Sequence, residues 1–156
     1  MKINIHDSEL FKIVEEACQG LELDSLTISA FNFENWNING HELTATAFYY
    51  KEEIIIHPER IKNVEKAVNV AAPSKKGVIN HEIAHFIDEK HQISQRDDIK
   101  KLFKGFKSSE NLRKLSSYAA TNIKEFVAEG WSEYKSSDSP RWYAKRIGRI
   151  IEKAIG

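Results

Sequence analysis

The five residues HEIAH at positions 81–85 constrain this chain more than any other feature. On a helix, His81 and His85 lie one turn apart on one face, so both imidazoles can reach a single ion. On a strand the same two residues would stand about 13 Å apart. The flanking sequence supports the helix. Ile79, Ile83, Phe86 and Ile87 recur at helical spacing on one apolar face, and the pattern predicts a helix over residues 76–90. Glu82 follows His81 directly and lies beside a metal held by the two histidines, where a general base for a water at the metal belongs. Shuffled chains of this composition carry the pattern about 2% of the time, so an amphipathic helix with a fortuitous His-Glu-His face is the competing interpretation.

A catalytic zinc normally takes three protein ligands and keeps one position open. Two residues compete for the third place. His91 follows His85 at the spacing of HExxHxxGxxH sites. That geometry needs the helix to stop after His85, normally at glycine, and Asp88 occupies the position here. Such enzymes also carry a methionine turn, and the one methionine is Met1. If the helix continues, His91 turns about 120° away from His85, which makes it a surface or helix-end residue. The other candidate is Glu125, four residues before Glu129 and opposite Phe126 and Val127 on a predicted helix. A carboxylate ligand with a second carboxylate one turn later can bind a metal and orient a metal-bound histidine. A solvated acidic face is equally compatible, because Glu133 continues the row.

Composition sets the frame. A chain of 156 residues fits one compact domain spanning 1–156, and 41% apolar residues suffice for a core. Lys plus Arg number 23 and Asp plus Glu number 23, so there is no electrostatic case for a nucleic-acid partner. The locally basic stretch from Arg141 to Lys153 has helical apolar spacing and reads as a solvated helix face. Cys18 is the one cysteine, which rules out a cysteine-based zinc site and suggests a buried thiol. The N-terminus lacks an apolar signal core, and no apolar run approaches the ~18 residues of a membrane span. The expectation is a cytoplasmic chain without a membrane partner, with delivery by other machinery as the alternative.

Along the chain, residues 7–19 read as a helix capped by Asp7 and ended by Gly20, and 25–33 as a strand. Asn39-Gly40 is a hairpin signal. Residues 42–50 and 53–57 read as strands, and Pro58 starts a helix to about residue 70. Helices are predicted over 95–107, 109–118 and 122–135, and a last one from Ser139-Pro140 to residue 155. Strands first and helices after predict an α+β fold. An extended peptide is expected to add to the strand from Thr44 to Tyr50, with Glu53 to His57 as the alternative.

Residues 117–129, SYAATNIKEFVAE, resemble the stretch that follows the HExxH helix in anthrax lethal-factor-type metallopeptidases, a family that includes the Pro-Pro endopeptidases. The likeness rests on Ser117, Tyr118, Thr121, Asn122, Glu125, Phe126, Ala128 and Glu129, and HEIAHFIDE resembles the family's zinc helix, Asp88 included. It covers residues 78–136. The resemblance implies a minimal zincin-like fold with a small N-terminal sheet, Zn2+ as cofactor, Glu125 as third ligand, Glu129 behind the ligands and Tyr118 stabilising the transition state. The interval from His85 to Tyr118 is shorter than lethal factor leads one to expect, and no substrate identity comes with the likeness. The expected activity is hydrolysis of a peptide or protein substrate by a water that Glu82 activates. The alternatives are a cytosolic regulatory protease that cleaves a repressor-like partner, with the same chemistry, and a non-catalytic zinc-stapled binding or virion module.

Overall fold

The computed structural model describes residues 1–33, 46–66, 72–108 and 122–156, with the backbone of 37–38 and 41–42. The described elements make an α+β fold. Six short strands are β1 (Lys2–Asn4), β2 (Thr27–Ala30), β3 (Asn37–Ile38), β4 (His41–Glu42), β5 (Ala47–Tyr50) and β6 (Glu53–Ile56). Five helices are α1 (Ser8–Cys18), α2 (Lys75–His91), α3 (Asp97–Ser108), α4 (Ile123–Ser136) and α5 (Trp142–Ile155).

The main sheet runs β1-β2-β6-β5. β1, β2 and β6 are parallel, and β5 closes the edge antiparallel to β6. α1 crosses between the first two strands, capped by the Asp7 carboxylate, which accepts from the Leu10 N–H at 2.8 Å. Leu10, Val14, Ala17 and Cys18 turn inward from α1. Burial pushes the Cys18 thiol up to about 11, as expected of an inert core cysteine. Ile28, Ile54 and Ile56 fill the sheet's side of the same core, and α2 packs through Ile79, Ile83, Phe86 and Ile87.

Several elements differ from expectation for physical reasons. β1 is a strand of three residues, too short to show any periodicity. Pairing narrows the 25–33 strand to β2. β3 and β4 pair antiparallel on either side of Asn39-Gly40, as the dipeptide signals. Of the expected 42–50 strand, Glu42 belongs to β4 and Ala47–Tyr50 to β5, and residues 43–45 lie outside the described ones. Arg60–Lys66 is a 3-10 helix where an α-helix was expected. The His57 ring accepts the Arg60 N–H at 3.2 Å, a side-chain bond of the kind that competes with regular helical pairing. A short 3-10 turn, Ile93–Gln95, precedes α3, which starts two residues later than predicted. α5 starts at Trp142 and not at the Ser139-Pro140 pair. The Glu133 carboxylate accepts from the Arg141 N–H at 3.1 Å and from its guanidinium Nε at 2.8 Å, which fixes the start of the helix there. The predicted 109–118 helix lies outside the described residues. β6 is paired on both sides, so of the two candidate strands β5 is the one at an edge of the described sheet.

Candidate metal centre

α2 carries the HEIAH residues through the middle of the molecule. Its start is fixed by Ser74, whose hydroxyl accepts the Gly77 N–H at 2.9 Å. It does not stop at Asp88. That carboxylate is buried and accepts the Ser94 N–H at 2.6 Å, and the helix ends only at Gln92, in the left-handed region at φ 53°. His91 is therefore the last helical residue, apart from the group that His81 and His85 form.

α4 packs along α2, and polar contacts pin the two together. The Ser132 hydroxyl donates to the Gly77 carbonyl at 2.6 Å, and the Asn80 amide to the Ser136 hydroxyl at 2.9 Å. At the start of α4, the Asn122 side chain accepts the Glu125 N–H at 2.9 Å. This cap places the Glu125 carboxylate in the first turn, a favourable place for negative charge.

The two helices bring His81, His85 and Glu125 together. His81 Nε2 and His85 Nε2 lie 3.2 Å apart. Glu125 Oε2 is 3.0 Å from His81 Nε2, and Oε1 is 3.2 Å from His85 Nε2. The Oε2 approach lacks hydrogen-bond geometry, so among the described residues this buried oxygen has no hydrogen-bond partner. All three ligand atoms lie within 4.8 Å of one another, and the group can hold a metal ion. An orphaned carboxylate oxygen beside two converging imidazole nitrogens fits a cation.

Glu129 lies one turn behind. Its Oε2 is 3.1 Å from His81 Nδ1, and its side chain is only 2% exposed, against 15% for Glu125 and 17% for His85. A carboxylate can only accept, so His81 Nδ1 carries a proton toward Glu129, and Nε2 is the ring nitrogen that faces the shared centre. Glu133 is also buried, held on Arg141. The acidic row of α4 is thus not a solvated face.

Burial works against charge on His81, but the facing carboxylates of Glu125 and Glu129 and the nearby Glu82 charge outweigh it and push the ring up to about 10. Burial also works against charge on Glu125, yet His81 and His85 hold its carboxyl down at about 2. Glu82 is buried, and that burial raises its carboxyl above the usual carboxylate range despite the opposing effect of the two histidines. A carboxyl displaced in this direction suits proton transfer near neutral pH.

Tyr118 lies outside the described residues. Tyr49 is a neighbour that the sequence did not single out. Its ring stacks near His85 at 6.5 Å between centroids, and its hydroxyl donates to Glu89 at 2.7 Å. The sequence marked it only as part of the strand expected to take an extended peptide. With His85, Asp88 and Lys124 it lines a cavity of about 310 Å³ beside the metal group.

The fold and the site together define a class: an α+β chain with a helix-borne His-Glu-x-x-His segment completed by a carboxylate from a second helix. No protein-family model and no curated protein sequence matches the chain.

Proposed function

We propose that this chain is a zinc-dependent endopeptidase of the lethal-factor type. The observation that carries the proposal is the convergence of His81, His85 and Glu125 around one point, with Glu82 buried alongside and Glu129 on His81. Two imidazoles and one carboxylate are the ligand set of catalytic zinc sites that keep a position open. His81, His85 and Glu125 hold the ion, and Glu129 keeps His81 in the tautomer that can bind it. Zinc, when bound, supplies Lewis acidity that polarises the scissile carbonyl and acidifies water. The Glu82 carboxylate takes the proton of the attacking water and passes it to the leaving amine nitrogen as the C–N bond breaks. The Tyr118 hydroxyl donates to the oxyanion that develops on the carbonyl. An extended substrate pairs with β5, the sheet edge that packs beside α2, and the cavity beside His85 takes one of its side chains.

A structural zinc staple has no use for a buried base, so Glu82 favours the enzyme over the stapled module. Incubation of a peptide library with the protein, read by mass spectrometry, tests the proposal. Cleavage is expected for the wild type, abolished by chelator, restored by zinc and absent in a zinc-loaded Glu82→Gln variant. Cleavage that survives chelation, or wild-type turnover in Glu82→Gln, contradicts it.

A further inference from the structure

The basic stretch of α5 plays no part in the metal centre. Tyr143, Ala144, Ile147, Gly148 and Ile151 are buried and form the inner side of this helix. Trp142, Arg146, Arg149 and Lys153 follow one another at intervals of four, three and four residues and form a single outer stripe. Trp142 is 56% exposed, the most exposed large apolar side chain among the described residues. Two adjoining grooves of about 860 and 490 Å³ meet at Trp142 and Arg146. Lys101 from α3 lines the first groove, and Arg149 and Lys153 line the second.

Asp98 lies between them, and Arg96 already holds it through two contacts of 3.1 and 3.2 Å. Arg146, Arg149, Lys153 and Lys101 make no ion pair with a described carboxylate. The face is also held in place. Glu133 grips Arg141 at its start, and the Tyr134 hydroxyl donates to Glu152 near its end at 3.1 Å.

We propose that this outer face of α5 docks an acidic segment of a partner protein, with an apolar side chain against Trp142 and carboxylates on Arg146, Arg149 and Lys153. Charge complementarity chooses the partner. Guanidinium groups pair bidentately with carboxylates, and a tryptophan amid cations is a typical binding anchor. A continuous phosphate backbone fits less well, because its evenly spaced charges must also pass Asp97 and Asp98, where a peptide can set an uncharged residue. A membrane surface fits less well too, because the apolar side of α5 is spent on the core and leaves Trp142 with little to insert. The proposal does not depend on the metal or on peptidase activity.

The test is selection of a random 12-residue peptide library displayed on phage against the intact protein. The most enriched peptide is then labelled and titrated against wild type, Trp142→Ala and Arg146→Glu/Arg149→Glu. All three substituted positions are exposed or outward-facing, so unchanged melting temperatures verify the fold. Enriched peptides rich in Asp and Glu with an aromatic or aliphatic residue are expected. Their affinity should fall at least tenfold in each variant and weaken as salt rises. Enrichment without acidic bias, or binding unchanged by the double charge reversal, overturns the proposal. So does tighter binding to a single-stranded oligonucleotide of equal charge, or to phosphatidylserine–phosphatidylcholine vesicles.

Discussion

Glu129 sets its buried carboxylate against His81 Nδ1, and the consequences reach the proposed metal site. Removing such a partner typically lowers metal affinity about 10- to 100-fold while the fold survives. The metal-free protein offers a second handle, because the His81 ring is raised to about 10 from an ordinary value of 6.5. A raised folded-state value stabilises fully below the unfolded value and is lost as pH rises through the folded one. In chelator, the melting temperature should therefore decline between about pH 6.5 and pH 10. Glu129→Gln should flatten that decline, and an equally steep decline in the variant would show that Glu129 does not hold the His81 proton. Tyr118 carries a different prediction. If its hydroxyl stabilises charge that appears only in the transition state, Tyr118→Phe costs about 2.7–4 kcal/mol, roughly 100- to 1,000-fold in turnover. Zinc content and Michaelis constant should stay near wild type. Full turnover in the variant returns Tyr118 to a packing role and weakens the family likeness.

Helix contacts decide whether the ligands meet. α4 lies between α2 and α5, and two glycines set its distance to α5. A Cβ at Gly130 would run into the Ile147 side chain, and one at Gly148 into the Tyr134 ring. Alanine at a helical glycine gains up to about 1 kcal/mol in propensity, whereas overpacking typically costs 1–3 kcal/mol. Gly148→Ala should thus lower the melting temperature, while Gly105→Ala, in α3 with open space around its Cβ position, should raise it. Calorimetry of the two variants checks the pair, and stabilisation by both would mean that the α4–α5 contact is loose. The same elements show what a sequence discloses. α2 was legible because His81 and His85 need a helix and the isoleucines supply its inner face. The role of the α4 glutamates was not, because Glu125, Glu129 and Glu133 form the same spaced row whether solvated or buried. Only packing against α2 and the Arg141 contact separates the two cases. Both strands of the β5–β6 hairpin were expected, within 42–50 and 53–57, but their antiparallel pairing carried no turn signal. The turn residues Lys51 and Glu52 both take positive φ, at 46° and 64°, without the asparagine or glycine that usually marks such a turn.

At the scale of the whole molecule, the metal group joins α2, at the centre of the core, to α4, which is distant in sequence. No helix among the described residues is long and apolar enough to cross a membrane. β5 and the start of α4 both reach the cavity beside His85, through Tyr49, Tyr50 and Lys124. This arrangement rests on one claim, that Glu125 and not His91 completes the ligand set. Elemental analysis of purified wild type, Glu125→Ala and His91→Ala, each dialysed against the same zinc buffer, tests it directly. One zinc per chain is expected in the wild type and in His91→Ala, with loss of most of it in Glu125→Ala. Full zinc in Glu125→Ala together with loss in His91→Ala would contradict the account.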